Sequence, residues 1–162
     1  MDDSEPDEDE TPTFAGRVTG LWLADERTAS PTARETVEAV AGRGLRGDRY
    51  FRPADAEGPG VEVTLIEREA LRAAERDYDV SLPAGAHRRN VVTAGVPLNH
   101  LVGRRFRVGE AVVEGTGLCE PCAHMESLAV EGARESLVHR GGLEARIVET
   151  GHLAVGDDVS PR

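Results

Sequence analysis

Short segments rich in β-branched and aromatic residues recur along this chain, with glycine- or proline-bearing turns between them. That rhythm limits the fold more than any other feature of the sequence. A strand is predicted near Gly16–Leu23 (GRVTGLWL), then at Val61–Ile66, Arg89–Thr93, Leu143–Val148 and His152–Val155, the last ending at Gly156-Asp157-Asp158. Arg105–Val108 and Ala111–Gly115 flank Gly109-Glu110 and form a hairpin pattern. Glu67–Tyr78 (EREALRAAERDY) is the best helix: its residues favour helix, and Ala70, Leu71 and Ala74 make an apolar stripe. Ser127–His139 has helical spacing at Leu128, Leu137 and Val138, weakened by Gly132. Pro97–Val102 suits one helical turn, and residues 53–60 and Pro83–His87 are loops. Between Thr32 and Ala41 two patterns compete. Thr32-x-x-Glu35 is a capping box, whereas Val37, Ala39 and Ala41 alternate as in a strand. The total is about seven short strands and two helices with neither regular β-α-β alternation nor an internal repeat. The predicted class is β-rich α+β, a barrel with a few peripheral helices.

A chain of 162 residues is most simply one domain with a real core. Its longest apolar runs are four-residue pieces such as Val63-Thr64-Leu65-Ile66, too short to span a membrane. The start, MDDSEPDEDE, lacks the basic and apolar regions of a secretory signal. Residues 1–12 have the composition of a disordered acidic tail, with the domain running from 13 to 162. A cytoplasmic location, with reduced thiols, is the expectation. The net charge of −11 disfavours nucleic acid, since phosphate contacts need basic surface. Seven acids lie in residues 2–10, which leaves −4 for the rest. Lysine is absent, so the strongly basic residues are all arginine. An acid-rich, lysine-free composition suits work in high salt. It also means that this chain cannot form an internal pyridoxal phosphate Schiff base, which requires a lysine amine.

Both cysteines fall in TGLCEPCAHMES, at Cys119 and Cys122. The spacing admits four readings. It is half of a structural zinc site, which needs further ligands such as His124 and His139. It is a dithiol redox pair, although the βαβ setting that accompanies such pairs is missing. It is two inert buried thiols. Or one thiolate acts as a nucleophile, sulfur carrier or soft-metal ligand at the mouth of the β-structure. Two other segments have the chemistry of anion-binding loops. GLRGDRY (Gly44–Tyr50) supplies Asp48 and Arg49 between tight turns, and HRRNVVT (His87–Thr93) places Arg88, Arg89 and Asn90 at the start of a strand. A guanidinium grips phosphate with two parallel bonds, and an amide both donates and accepts, as a heterocycle edge requires. Each segment is equally compatible with a solvated turn or an ion pair to the surplus acids.

Taken in order, GRGLRGDRYF, VEVTLIERE, RRNVVTAGVPLNHLVGRRFRVGEAVVEGTGLCEPC and RGGLEARIVETGHLAVGDDV resemble the MOSC domain family. These are the C-terminal domains of molybdenum cofactor sulfurases, also found as small free-standing proteins. The resemblance spans about Gly16 to Val159, with Arg88–Cys122 its most specific part. It implies a β-barrel and a strand at Val37–Ala41. It places the family's signature thiol at Cys122, as catalytic group and as molybdenum ligand when the metal is bound. It gives Arg88 and Asn90 the pterin and makes Cys119 a variant feature of one branch. The anion-loop chemistry adds Arg89, Asp48 and Arg49 as cofactor-binding residues, and the closeness of Cys119 to Cys122 gives it a secondary role as resolving thiol. Many relatives carry histidine where this chain has Tyr50. The implied function is binding of molybdenum cofactor (molybdopterin), carriage of sulfur as a persulfide for metal–sulfur centre assembly, or both. The alternatives are a small molybdoenzyme that reduces N-hydroxylated compounds, and a non-catalytic module that holds the cofactor or zinc. The implied partners are a sulfur donor such as a cysteine desulfurase, or an electron-transfer protein.

Overall fold

A computed structural model describes residues 12–121 and 123–162. Most of the expected acidic tail, and Cys122, lie outside the described residues. Eleven strands are described: β1 Gly16–Leu23, β2 Thr32–Ala33, β3 Thr36–Val40, β4 Gly44–Leu45, β5 Val63–Glu67, β6 Val91–Ala94, β7 Arg105–Val108, β8 Ala111–Leu118, β9 Leu143–Glu149, β10 Gly151–Ala154 and β11 Asp158–Pro161. The helices are α1 Arg68–Tyr78, α2 Ala123–Leu128 and α3 Ala133–Ser136, with one 3₁₀ turn at Leu98–His100.

Seven strands close a barrel in the order β11-β7-β8-β9-β5-β6-β1, with β11 pairing back onto β1. Every neighbouring pair is antiparallel except β5–β6, which is parallel and is joined by the crossover helix α1. β2 extends the far end of β1 through Trp22↔Ala33, and β10-β3-β4 form a small separate sheet. The fold is the β-rich barrel with peripheral helices that the sequence pattern predicts.

Closure follows from side-chain alternation. In β7, Phe106 and Val108 point inward while Arg105 and Arg107 face water. Inside the barrel, Leu21, Leu65, Val91, Phe106, Val113, Leu143 and Ile147 form one core. A second core lies outside the wall, where Ala74 of α1, Met125 of α2, and Ala133 and Leu137 pack on Ile66 and Val92. β5 and β6 therefore read as continuous apolar runs, because both of their faces are covered.

Three expectations change in detail. The contested stretch is a strand, Thr36–Val40, and Thr32 pairs in β2 without capping a helix. The helix expected over Ser127–His139 is two short ones. Gly132 takes φ +91 between them, and the Glu126 carboxylate accepts the Gly132 and Arg134 N–H groups at 3.1 Å, which ends one helix and starts the next. The chain also continues past Gly156-Asp157-Asp158 into β11, which completes the barrel. No described helix is long and apolar enough to cross a membrane.

Candidate functional site

His87-Arg88-Arg89-Asn90 enters β6 between its neighbours β1 and β5, and consecutive side chains are buried in different surroundings. Asn90 is 2% exposed. Its Oδ1 accepts the Thr64 N–H at 3.0 Å and the Thr64 hydroxyl at 3.2 Å, and its Nδ2 donates to the Trp22 carbonyl at 3.1 Å. The amide therefore clamps β5 and β1 together at the start of β6.

Arg89 reaches across the barrel rim. Its Nε donates to the Gly141 carbonyl at 2.7 Å, and Nη2 donates to the Cys119 carbonyl at 3.3 Å. The Cys119 N–H donates to the Gly142 carbonyl at 2.8 Å. The turn that leaves β8 is thus pinned against Gly141-Gly142 by one buried guanidinium. A side chain at position 141 would collide with the Cys119 carbonyl, so glycine is required for this approach.

Arg88 adopts a left-handed backbone, φ +61. Its Nη1 donates to the Ala29 carbonyl at 2.9 Å and its Nη2 to the Arg27 carbonyl at 2.6 Å. Burial, and then the positive charge of Arg49, hold its guanidinium below the usual arginine value. Arg49 stands 4.5 Å over the Tyr50 ring, and its Nη2 lies 3.4 Å from the Tyr50 hydroxyl. Asp48 shapes this turn from below: Oδ1 accepts the Ala24 N–H at 3.1 Å and Oδ2 the Tyr50 N–H at 3.3 Å.

Arg49, Tyr50 and Arg88 line one cleft of about 480 Å³, together with Asp25, Glu26 and Arg27. Among the described residues, no carboxylate lies within ion-pair distance of Arg49 or Arg88. Two guanidinium groups without an ion-pair partner among the described residues, and a phenol, in a concave site suit a phosphate or another oxyanion.

Of the residues predicted from sequence, the structure brings Arg49 and Arg88 together. Asp48, Arg89 and Asn90 stand behind them, with their side-chain bonds going to protein groups. Cys119 is buried beyond Arg89, and Cys122 lies outside the described residues. Among the described residues no cluster of histidine, cysteine, aspartate and glutamate is arranged to hold a metal. Sequence reasoning missed the 25–27 loop, whose carbonyls and charges carry no motif. It also gave no role to His87, whose buried Nδ1 accepts the Arg89 N–H at 2.9 Å.

The MOSC domain family model matches residues 55–160. No curated protein matches the chain. The YuaD protein from Bacillus subtilis superposes with a TM-score of 0.77 at 16% identity, covering 91% of this chain and 96% of that one. YiiM from Geobacillus stearothermophilus gives 0.69 at 15% identity, covering 91% and 75%. YiiM from Escherichia coli gives 0.57 at 17%, covering 93% and 70%. At these identities the likeness is one of fold.

Proposed function

The chain belongs to the MOSC domain family, and from that premise we propose that it holds the molybdenum cofactor at the Arg49–Arg88 cleft, carries sulfur on Cys122, or does both. The observation that supports this reading most is the pair Arg49 and Arg88. In an acid-rich chain, two arginines from distant segments face one cleft with no carboxylate at ion-pair distance among the described residues. The donor set fits the cofactor's anionic portion. Arg49 and Arg88 would bind it, and Tyr50 would offer a hydroxyl beside it. When bound, the cofactor supplies a redox-active metal with soft sulfur ligands.

The chain's own residues do the positioning. Arg88 is fixed by the Arg27 and Ala29 carbonyls, so little of its freedom remains to be lost on binding. Arg89 holds the Cys119 carbonyl and thereby the start of the thiol loop. In the sulfur-carrier role the Cys122 thiolate attacks the outer sulfur of a donor persulfide. The donor's S–S bond breaks, the donor leaves as a thiolate, and the new S–S bond resides on Cys122.

The test is to produce the protein with a cofactor-synthesising host and measure molybdenum, pterin and sulfane sulfur. Arg49→Gln is expected to lose pterin and molybdenum with little change in stability. Cys122→Ser is expected to lose molybdenum and sulfane sulfur, with Cys119→Ser near normal. Equal retention in Arg49→Gln and wild type would remove the cleft from the reading. Equal loss in both cysteine variants would replace the single-thiol chemistry by a dithiol pair or a shared zinc site.

A further inference from the structure

A second cavity, of about 400 Å³, lies outside the barrel wall between α1, the β1–β6 surface and the 81–85 loop. It shares no lining residue with the Arg49–Arg88 cleft. Its polar lining includes several donors with no acceptor at hydrogen-bond distance among the described residues. Among the described residues, no hydrogen-bond or ion-pair partner stands at any guanidinium nitrogen of Arg68, and its Nε is buried. A charged group left without an acceptor is costly, and Arg68 lines the cavity, so an acceptor bound there would be stabilising.

His87 adds a second donor. The ring is 4% exposed and lines the cavity. Its Nδ1 accepts the Arg89 N–H, which leaves the proton on Nε2, and among the described residues no acceptor stands at hydrogen-bond distance from Nε2–H. Burial, and then Arg89, push His87 down to about 4, so the ring is neutral at pH 7 and donates as a fixed tautomer. Trp22 supplies a third, since its indole N–H also lacks an acceptor among the described residues and its ring packs edge-on against His87. Arg72, one helical turn after Arg68, brings a second guanidinium without an ion pair, and Leu71, Leu82 and Val92 form an apolar wall. Glu75 is the one carboxylate in the lining, and it bonds to none of these donors.

We propose that this cavity is a binding site for a small monocarboxylate with an apolar body, its carboxylate taken by Arg68 and the His87 and Trp22 N–H groups. The two faces of the cavity match the two halves of such a ligand. Donors without acceptors select an anion over an alcohol or amine, and the leucine and valine wall selects an apolar body over a bare ion. The site is independent of any cofactor in the other cleft.

Trp22 is the only tryptophan in the chain, so its fluorescence reports on this cavity alone. The experiment titrates the full chain with phenylacetate and hexanoate, alongside 2-phenylethanol and acetate. Saturable changes are expected with the two apolar carboxylates at up to millimolar concentrations. The alcohol, which lacks the charge, and acetate, which lacks the body, are each expected to bind at least about tenfold more weakly. Arg68→Gln is expected to weaken phenylacetate by about tenfold or more, the loss of one charge-assisted hydrogen bond, with Arg72→Gln showing a smaller loss. Arg72 is exposed, so its replacement reads binding without a folding defect. Arg49→Gln, in the other cleft, is expected to leave the titration unchanged. The inference is overturned if neither carboxylate gives a saturable response, or if alcohol and carboxylate bind equally. It is also overturned if Arg49→Gln abolishes the signal while Arg68→Gln and Arg72→Gln do not.

Discussion

Replacing Asn90 by alanine separates a residue that holds the protein together from one that holds a ligand. The resemblance assigns Asn90 to the pterin, whereas in the structure its side-chain atoms bond to Thr64 and Trp22 across three strands. In Asn90→Ala the Thr64 N–H loses its Oδ1 acceptor inside a wall that water does not reach, since Thr64 is 3% exposed. An orphaned buried donor costs about 1–3 kcal/mol, and loss of the Nδ2 bond to Trp22 adds about 1 kcal/mol. The expected total is about 2–4 kcal/mol, a fall in Tm of about 4–15 °C for a domain of this size. The assay is urea and thermal unfolding of wild type, Asn90→Ala, Thr64→Val and the double variant. Because both side chains share one hydrogen-bond network, the double variant should be less destabilised than the sum of the single ones, by about 0.5 kcal/mol or more. A loss below about 1 kcal/mol in Asn90→Ala, or strict additivity, would refute the clamp. If stability held while pterin retention fell, the amide would belong to the ligand.

Three further outcomes follow from named contacts. His87 is depressed to about 4 in the fold against 6.5 when unperturbed, so its contribution is complete above pH 6.5. It is lost as pH falls from 6.5 to about 4, because the unfolded chain binds the proton first; the amount is about 3 kcal/mol, and His87→Asn should flatten the stability–pH curve measured over that window. Glu62, 4% exposed, accepts the Ile147 N–H at 2.8 Å and faces Arg52 at 3.5 Å, so Glu62→Ala should cost about 3–5 kcal/mol in urea unfolding and Glu62→Gln clearly less. Gly142 takes φ +115 and a Cβ there would strike the Leu65 carbonyl, so Gly142→Ala should cost more stability in urea unfolding than the about 1–2 kcal/mol of left-handed strain alone.

What the sequence determined by itself is the set of local choices whose physics is local. Alternation of Phe106 and Val108 with Arg105 and Arg107 specified a half-buried strand, and the Ala70–Leu71–Ala74 stripe specified α1. The ordered run from Arg88 to Cys122 gave the family, because a long motif with fixed spacing is far more specific than either anion loop within it. Tertiary structure decided the rest. Thr36–Val40 became a strand because β10 and β4 offer it partners on both edges, which no capping box in its own sequence can reveal. Asp158–Pro161 became the closing strand because β1 and β7 leave free edges at either side of it, and barrel closure is a property of all seven strands together. The division of labour within Arg88-Arg89-Asn90 was likewise unreadable. Neighbouring residues of like chemistry entered a cleft, a rim and a strand junction, since what each side chain does depends on which distant carbonyl it meets: Arg27 and Ala29, Gly141 and Cys119, or Trp22. Those partners are separated from it along the chain and adjacent only once the barrel has closed.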